Sequence, residues 1–394
     1  MILIKSIVSV IIITTFALLL NIIDLKNFEE LGISKDLVKG LNELNIKTPT
    51  KIQSEVISFL LNNTSDLVGQ AQTGTGKTAA FGLPLLHRIN PEKKEIQALI
   101  LCPTRELGQQ IAKQLFLYTK YTDKIFTEAV FGGAKIDLQI NALKRPTHIV
   151  VATPGRLIDL VARKAIDLSR VKTVILDEAD EMLTMGFKKE LDQILRFVSK
   201  TECKWLFSAT MPAGIKQIIN EYLSPKAHVI EVNTKHIVNE NIEHQYIECD
   251  VHDKLNVLIK FLKSNGSSRG VVFCRTKAGA QTLEKQLIAK NILTGAIHGD
   301  LLQKERDKVM RAFRKNRLPL LIATDIAARG LDIDDLEFVI HYQLPEKDEF
   351  YTHRSGRTAR AGKKGISLCL VPSFEMKKIT HFENKLGITF KEVK

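Results

Sequence analysis

Two carboxylates, Asp177 and Glu178, stand directly after Val174-Ile175-Leu176, a short β-branched and apolar run. Such a run reads as a parallel strand buried on both faces, and an open α/β sheet binds its ligands at the carboxyl ends of its strands. There one carboxylate suits a magnesium ion, and its neighbour can take the proton of a water that attacks a phosphate. Alone, the pair also fits an ordinary acidic loop after a strand. Upstream, Asp66-Leu67-Val68-Gly69 reads as another strand, followed by Ala71-Gln72-Thr73-Gly74-Thr75-Gly76-Lys77-Thr78 and a helical run from Ala79. Glycines there let backbone amides converge on phosphate oxygens, Lys77 reaches the β and γ phosphates, and the Thr78 hydroxyl completes the magnesium shell. This is a P-loop, with Ala71 where the general pattern has its first glycine.

The elements that must position these groups alternate as an α/β fold does. Strands are expected at Ala98 to Cys102, Phe126 to Phe131, His148 to Ala152 and Lys204 to Phe207, with helices between them. Their carboxyl tips carry Thr104-Arg105, Gly132-Gly133, Thr153-Pro154-Gly155-Arg156 and Ser208-Ala209-Thr210. Taken singly these are turns and caps; together they suit sugar-phosphate contacts, and Ser208 and Thr210 can link Asp180 to that face. From Ile242 the rhythm starts afresh, with strands at Gly270 to Cys274, Thr294 to Ile297, Leu318 to Ala323, Phe338 to His341 and Ile366 to Val371. No second Gly-Lys-Thr occurs in this half, but it holds the cluster Arg354, Arg357 and Arg360. An arginine supplied by a separate domain can neutralise transition-state charge and raise turnover by about three to five orders of magnitude. The expected division is an extension over 1–24, a nucleotide-binding domain over 25–225, a linker over 226–241 and a second domain over 242–394.

Length and composition allow two or three domains with real cores. A formal net charge of +13 fits a polyanionic partner such as nucleic acid. The five cysteines fall singly, without the spacing of a zinc site or disulfide framework, which points to a reducing compartment. Ser6 to Ile23 is uncharged and long enough to span a membrane, with no Ala-x-Ala-like site before Asp24. Two readings stay open: a dispensable extension ahead of a cytoplasmic enzyme, or an anchor that leaves the rest in the cytosol. Near Phe28 and Gln53, a glutamine amide can pair with the edge of adenine and a phenylalanine can stack on its face. Without the P-loop these two would be a core residue and a helix-start residue.

Taken in order, these residues resemble the DEAD-box RNA helicases of superfamily 2, as a bacterial-type minimal core, from Phe28 onward. The resemblance implies two tandem RecA-like domains, each a mostly parallel sheet flanked by helices, closing on ATP between them and on RNA across both. It implies that Phe28 and Gln53 read adenine, that Ala71 to Thr78 bind the phosphates, and that Thr78 and Asp177 hold Mg2+ largely through water. Glu178 activates water; Gly330 and Asp332 approach the nucleotide from the second domain, and Arg357 and Arg360 act as fingers. Asp180, Ser208, Thr210 and His353 couple the sites. RNA contacts are implied at Thr104, Arg105, Gly133, Thr153, Gly155 and Arg156, and at Arg275, Arg306, Thr324 and Asp325, with little sequence preference. Several positions depart from the family's pattern: Gly108 for alanine, Asn45 and Lys51 for glycine and proline, Ser355 for isoleucine and Ala359 for glycine. The expected activity is ATP-dependent local separation of short RNA duplexes by a monomer. The rivals are an ATP-gated RNA clamp that hydrolysis only resets, and a DNA-dependent motor. No basic or glycine-rich tail precedes Lys394, so the choice of RNA is expected to fall to partners, ribosomal or RNA-decay proteins among them.

Overall fold

A computed structural model describes residues 27–72, 74–198, 200–232, 241–266, 268–328, 333, 336–359 and 363–393. The apolar stretch at 6–23, and with it the question of an anchor, lies outside these residues. Among the described residues no helix is long and apolar enough to cross a membrane.

Among the described residues two seven-stranded sheets form, each wholly parallel. In the first, β1 (Leu67–Gln70), β2 (Ala98–Leu101), β3 (Thr127–Val130), β4 (Ile149–Ala152), β5 (Thr173–Leu176), β6 (Cys203–Ser208) and β7 (His228–Glu231) lie in the order β3-β4-β2-β5-β6-β1-β7. In the second, β8 (Ile242–Glu248), β9 (Gly270–Cys274), β10 (Thr294–Ile297), β11 (Leu320–Thr324), β12 (Phe338–His341), β13 (Gly365–Val371) and β14 (Phe390–Glu392) lie in the order β10-β11-β9-β12-β13-β8-β14. A parallel pair needs a long crossover, and helices supply it, so both sheet faces are covered.

Because successive side chains point to opposite faces, one strand feeds two cores. Ala98 and Ile100 of β2 enter one apolar cluster while Leu99 and Leu101 enter the other, and Ile175 is separated from Val174 and Leu176 in the same way. In the second domain Val272 and Ile340 face one core, Val271 and Val339 the other. Continuous apolar runs are therefore what the sheet interior requires. The edge strand β7 exposes three of its four residues, and it pairs with β1 inside the stretch 226–241 expected to be linker. Part of that stretch is thus sheet, and residues 233–240 lie outside the described set.

Candidate active site and nucleic-acid face

The P-loop follows β1 and is held by the helix Lys51–Asn62. Thr50 Oγ1 accepts from Gln53 N at 3.4 Å, and Thr50 N donates to Gln53 Oε1 at 2.9 Å, a reciprocal cap worth about 1 kcal/mol. The same two side chains also grip the loop: Thr50 Oγ1 donates to Thr75 O at 2.9 Å and Gln53 Nε2 to Gly76 O at 3.0 Å. Gly76 has φ +85°, and a Cβ there would stand 2.2 Å from Gln53 Nε2, so the position needs glycine twice over. A carboxamide has two N–H groups and two lone pairs, which leaves one of each for a ligand edge. Phe28 is 2% exposed and packs in the first domain's core, so stacking on adenine requires its neighbours to give way. Lys77 opens the helix Lys77–Arg88 and its Nζ donates to Ala71 O at 2.8 Å; Thr78 follows it in the first turn, and Ala71 and Gln72 precede the loop. Thr73 lies outside the described residues.

At the end of β5, Asp177 is buried and its Oδ1 accepts from Glu178 N at 3.0 Å. Burial pushes the Asp177 carboxyl up to about 7 against the pull of Lys77, with Glu178 and Asp180 adding to the rise. Glu178 is raised as well, first by desolvation, while Lys77, Arg357 and His353 hold it down. Its φ of +50° places it in the left-handed region, uncommon for a residue with a Cβ and typical of a functional turn. Asp180 Oδ2 accepts from Thr210 N at 2.9 Å and from Thr210 Oγ1 at 2.8 Å, and Ser208 Oγ donates to Thr210 O at 2.7 Å. The expected link from Asp180 to the tip of β6 is therefore a direct one.

The carboxyl ends of the two sheets meet across a cleft. His353 Nδ1 lies 2.6 Å from Glu181 Oε1, both side chains mostly buried. Burial alone favours the neutral ring, but the bond to Glu181, with Asp180 and Glu178 behind it, holds the His353 pKa above the usual histidine value. Glu181 was not singled out in the sequence; an acid following Asp180 reads as part of a charged helix start, and only the fold shows what it meets. A second pair of contacts crosses nearby. Arg306 Nε stands 3.1 Å from Glu106 Oε1, and Arg105 Nη2 3.5 Å from Asp307 Oδ2. Gly330, Asp332 and Arg360 lie outside the described residues. Arg357 is described, and its charge reaches Glu178.

The residues expected to touch RNA gather at strand tips on this same side, but several carry protein bonds of their own. Thr104 caps the helix Arg105–Tyr118, and Arg105 lies over the Phe131 ring at 4.8 Å. Arg156 donates to Gln139 Oε1 at 2.8 Å and Ala134 O at 3.1 Å, bracing the Gly132-Gly133 turn beside Thr153 and Gly155. Arg275 donates to Leu344 O at 3.0 Å and pairs with Glu375 at 3.4 Å; Arg306 also donates to Ala327 O at 2.7 Å. Thr324 is buried at the end of β11, and Asp325 accepts two bonds from Arg354. None of these bonds occupies every donor of a guanidinium, which has five.

One sheet with a phosphate-binding loop and a strand-end acid pair, facing a second sheet that brings a histidine and arginine to the same cleft, defines a tandem RecA-like ATPase. Residues 50–218 match the DEAD/DEAH box helicase family and residues 253–362 match the helicase conserved C-terminal domain. The chain belongs to the DEAD-box RNA helicases, and it is an RNA-stimulated ATPase that remodels RNA. It is 41% identical over 356 residues to the DEAD-box ATP-dependent RNA helicase CshA of Bacillus cereus, covering 90% of this chain and 67% of that protein. Among solved structures, S. cerevisiae Dbp5 bound to RNA and ADP BeF3 aligns with a TM-score of 0.86 at 32% identity, over 93% of this chain and 95% of that one. A Dbp5 variant bound to Nup159, Gle1, IP6 and ADP aligns with a TM-score of 0.68 at 31% identity, over 92% of this chain and 95% of that one.

Proposed function

We propose that this enzyme separates short RNA duplexes locally, by closing its two domains on ATP and a single strand and reopening after hydrolysis. The observation that carries this reading is the paired crossing of the cleft, His353 to Glu181 beside the acid pair and Arg306 to Glu106 beside the expected RNA face. Closure thereby joins the nucleotide side and the RNA side in one movement. In this reading Gln72, Thr73, Gly74, Thr75 and Gly76 turn backbone amides to the phosphates, Ala71 anchors the loop through its own amide on Ser208 O at 3.1 Å, and Lys77 exchanges its bond to Ala71 O for a phosphate oxygen. Glu178 takes the proton of the attacking water, and Arg357 and Arg360 stabilise charge as it develops.

The donor set fits Mg2+. Thr78 and Asp177 offer only hard oxygens, and a carboxyl that burial pushes up to about 7, with Glu178 adding to the rise, is a place where a dication would favour the charged form. Bound there, Mg2+ would neutralise phosphate charge. Thr104, Arg105, Gly133, Thr153, Gly155, Arg156, Arg275, Arg306, Thr324 and Asp325 form the RNA path, contacting backbone and 2′-hydroxyls. The alignment with Dbp5 in its RNA-bound form supports this path. The functional units in this reading are 25–232, which takes in β7, and 242–394, acting as a cytoplasmic monomer with ribosomal or RNA-decay partners.

The test is ATP hydrolysis with single-stranded RNA, with DNA of the same sequence, and with neither. Stimulation by RNA alone, with release of a labelled strand from a short duplex, supports the proposal. Stimulation without strand release favours the clamp, and a rate indifferent to RNA overturns both.

A further inference from the structure

Behind the cleft, the second domain buries a polar chain of Arg354, His341, Ser355 and Ser367 that the reaction scheme does not use and that ends on Asp325. Arg354 is 1% exposed, its guanidinium lies over the Phe273 ring at 5.1 Å, and its N–H groups meet three partners. Nε and Nη2 donate to the two oxygens of Asp325 at 2.5 and 2.7 Å, and Nη1 donates to Gln343 O at 2.8 Å and faces His341 Nδ1 at 3.3 Å. A guanidinium can only donate, so His341 Nδ1 must accept, and the ring carries its proton on Nε2. That proton points at Ser367 Oγ, 3.1 Å away, with Ser355 Oγ at 3.5 Å and 2.9 Å from Ser367 Oγ. His341 and both serines are fully buried, and Tyr351 stacks on the imidazole at a centroid distance of 4.7 Å. Burial and the Arg354 charge keep His341 neutral, as an acceptor must be. Ser355, which departs from the isoleucine of the family's pattern, is explained by this chain: an apolar side chain there would remove one of the hydroxyls facing Nε2–H.

We infer that His341 is a positioning residue for RNA-stimulated turnover: with Ser355 and Ser367 it fixes the plane of Arg354, which holds Asp325 at the RNA face. The inference rests on the proposed RNA role of Thr324 and Asp325. Arg354 lies between His353 and Arg357 in sequence, so one anchored guanidinium sets both the RNA-side carboxylate and the backbone that carries the groups facing Glu178. Without the imidazole acceptor the guanidinium can tilt toward Gln343 O, and Asp325 loses its orientation while the P-loop is untouched.

The experiment measures ATP hydrolysis against oligo(U) concentration for the full chain carrying His341→Leu, His341→Asn or Asp325→Ala. Leucine fills the space without an acceptor; the asparagine oxygen can replace Nδ1. For His341→Leu the RNA needed for half stimulation should rise about tenfold, the loss of one bond to a charged group, while KM for ATP stays within about twofold. His341→Asn should restore most of the RNA response. A wild-type RNA requirement in His341→Leu, or equal loss in the leucine and asparagine variants, overturns the inference. If Asp325→Ala raises the requirement and His341→Leu does not, the bracing fails and the RNA site stands; if neither raises it, both fall. Should His341→Leu not fold, Ser367→Ala takes its place, with an expected rise of about threefold and an unchanged requirement as the overturning result.

Discussion

Glu181→Gln tests whether a buried ion pair across the cleft drives closure. The variant keeps the size and an acceptor of Glu181 but removes the charge that His353 Nδ1 meets at 2.6 Å, where the side chains are 16% and 7% exposed. A hydrogen bond to a charged group is worth about 1.5–3 kcal/mol, and at these exposures little of it is screened, so the closing equilibrium should weaken about ten- to a hundredfold. The pair also sets a pH dependence. His353 in the closed form has a raised pKa, whereas opening returns the ring to water and to its ordinary value, so closing takes up a proton. The contribution to closure is therefore complete below the ordinary histidine pKa and is lost as pH rises through the raised one. Energy transfer between a dye on each domain, titrated with RNA and an ATP analogue at several pH values, reads both effects. Glu181→Gln should need at least about tenfold more RNA to close and should lose the decline with pH. A variant of unchanged melting temperature that closes as wild type does, with the same pH profile, would refute the reasoning.

Lys77→Ala should lower ATP turnover by about a hundredfold or more, and near-wild-type hydrolysis would contradict the P-loop assignment. Glu178→Gln should hold ATP and RNA together in a stable complex while slowing hydrolysis by about two orders of magnitude; loss of that complex on a filter or in anisotropy would make Glu178 structural. Ala359 has φ +58°, a conformation costing a side-chain-bearing residue about 1 kcal/mol, so Ala359→Gly should leave stability nearly unchanged and raise kcat by up to about fivefold. An unaltered kcat would dissociate that strain from turnover.

Nearly continuous apolar runs made β2, β5, β9 and β12 legible, because a strand buried on both faces is mostly apolar, with Thr173 of β5 and His341 of β12 as buried polar exceptions. The P-loop was legible because its glycines and lysine are demanded locally. The edge strands β7 and β14 were not: each buries one residue, and their pairing partners are set by distant chain. The same distinction divides the site. The Asp180 link to Thr210 could be anticipated from two strand tips expected side by side. The partners of Arg105, Arg306 and His353 belong to the opposite domain, and nothing near them in the chain names Asp307, Glu106 or Glu181. Arg156 likewise reads as a phosphate ligand, and only the fold shows that it also braces against Gln139. Phe28, which its company marks as an adenine reader, is also a core residue of the first domain.

The strand order also dictates a sequence of events during synthesis. β1, which leads into the P-loop, is bordered by β6 and β7, and both are made long after it. A ribosome adding about 5–20 residues per second therefore holds a finished P-loop without its flanking strands for on the order of ten seconds. In that interval both edges of β1 lack their native hydrogen-bonding partners, and the second domain repeats the delay, because β8 pairs only with β13 and β14, which are made more than a hundred residues after it. A chain truncated before Cys203 would keep the whole P-loop and the acid pair, yet lack both walls of the strand that presents it.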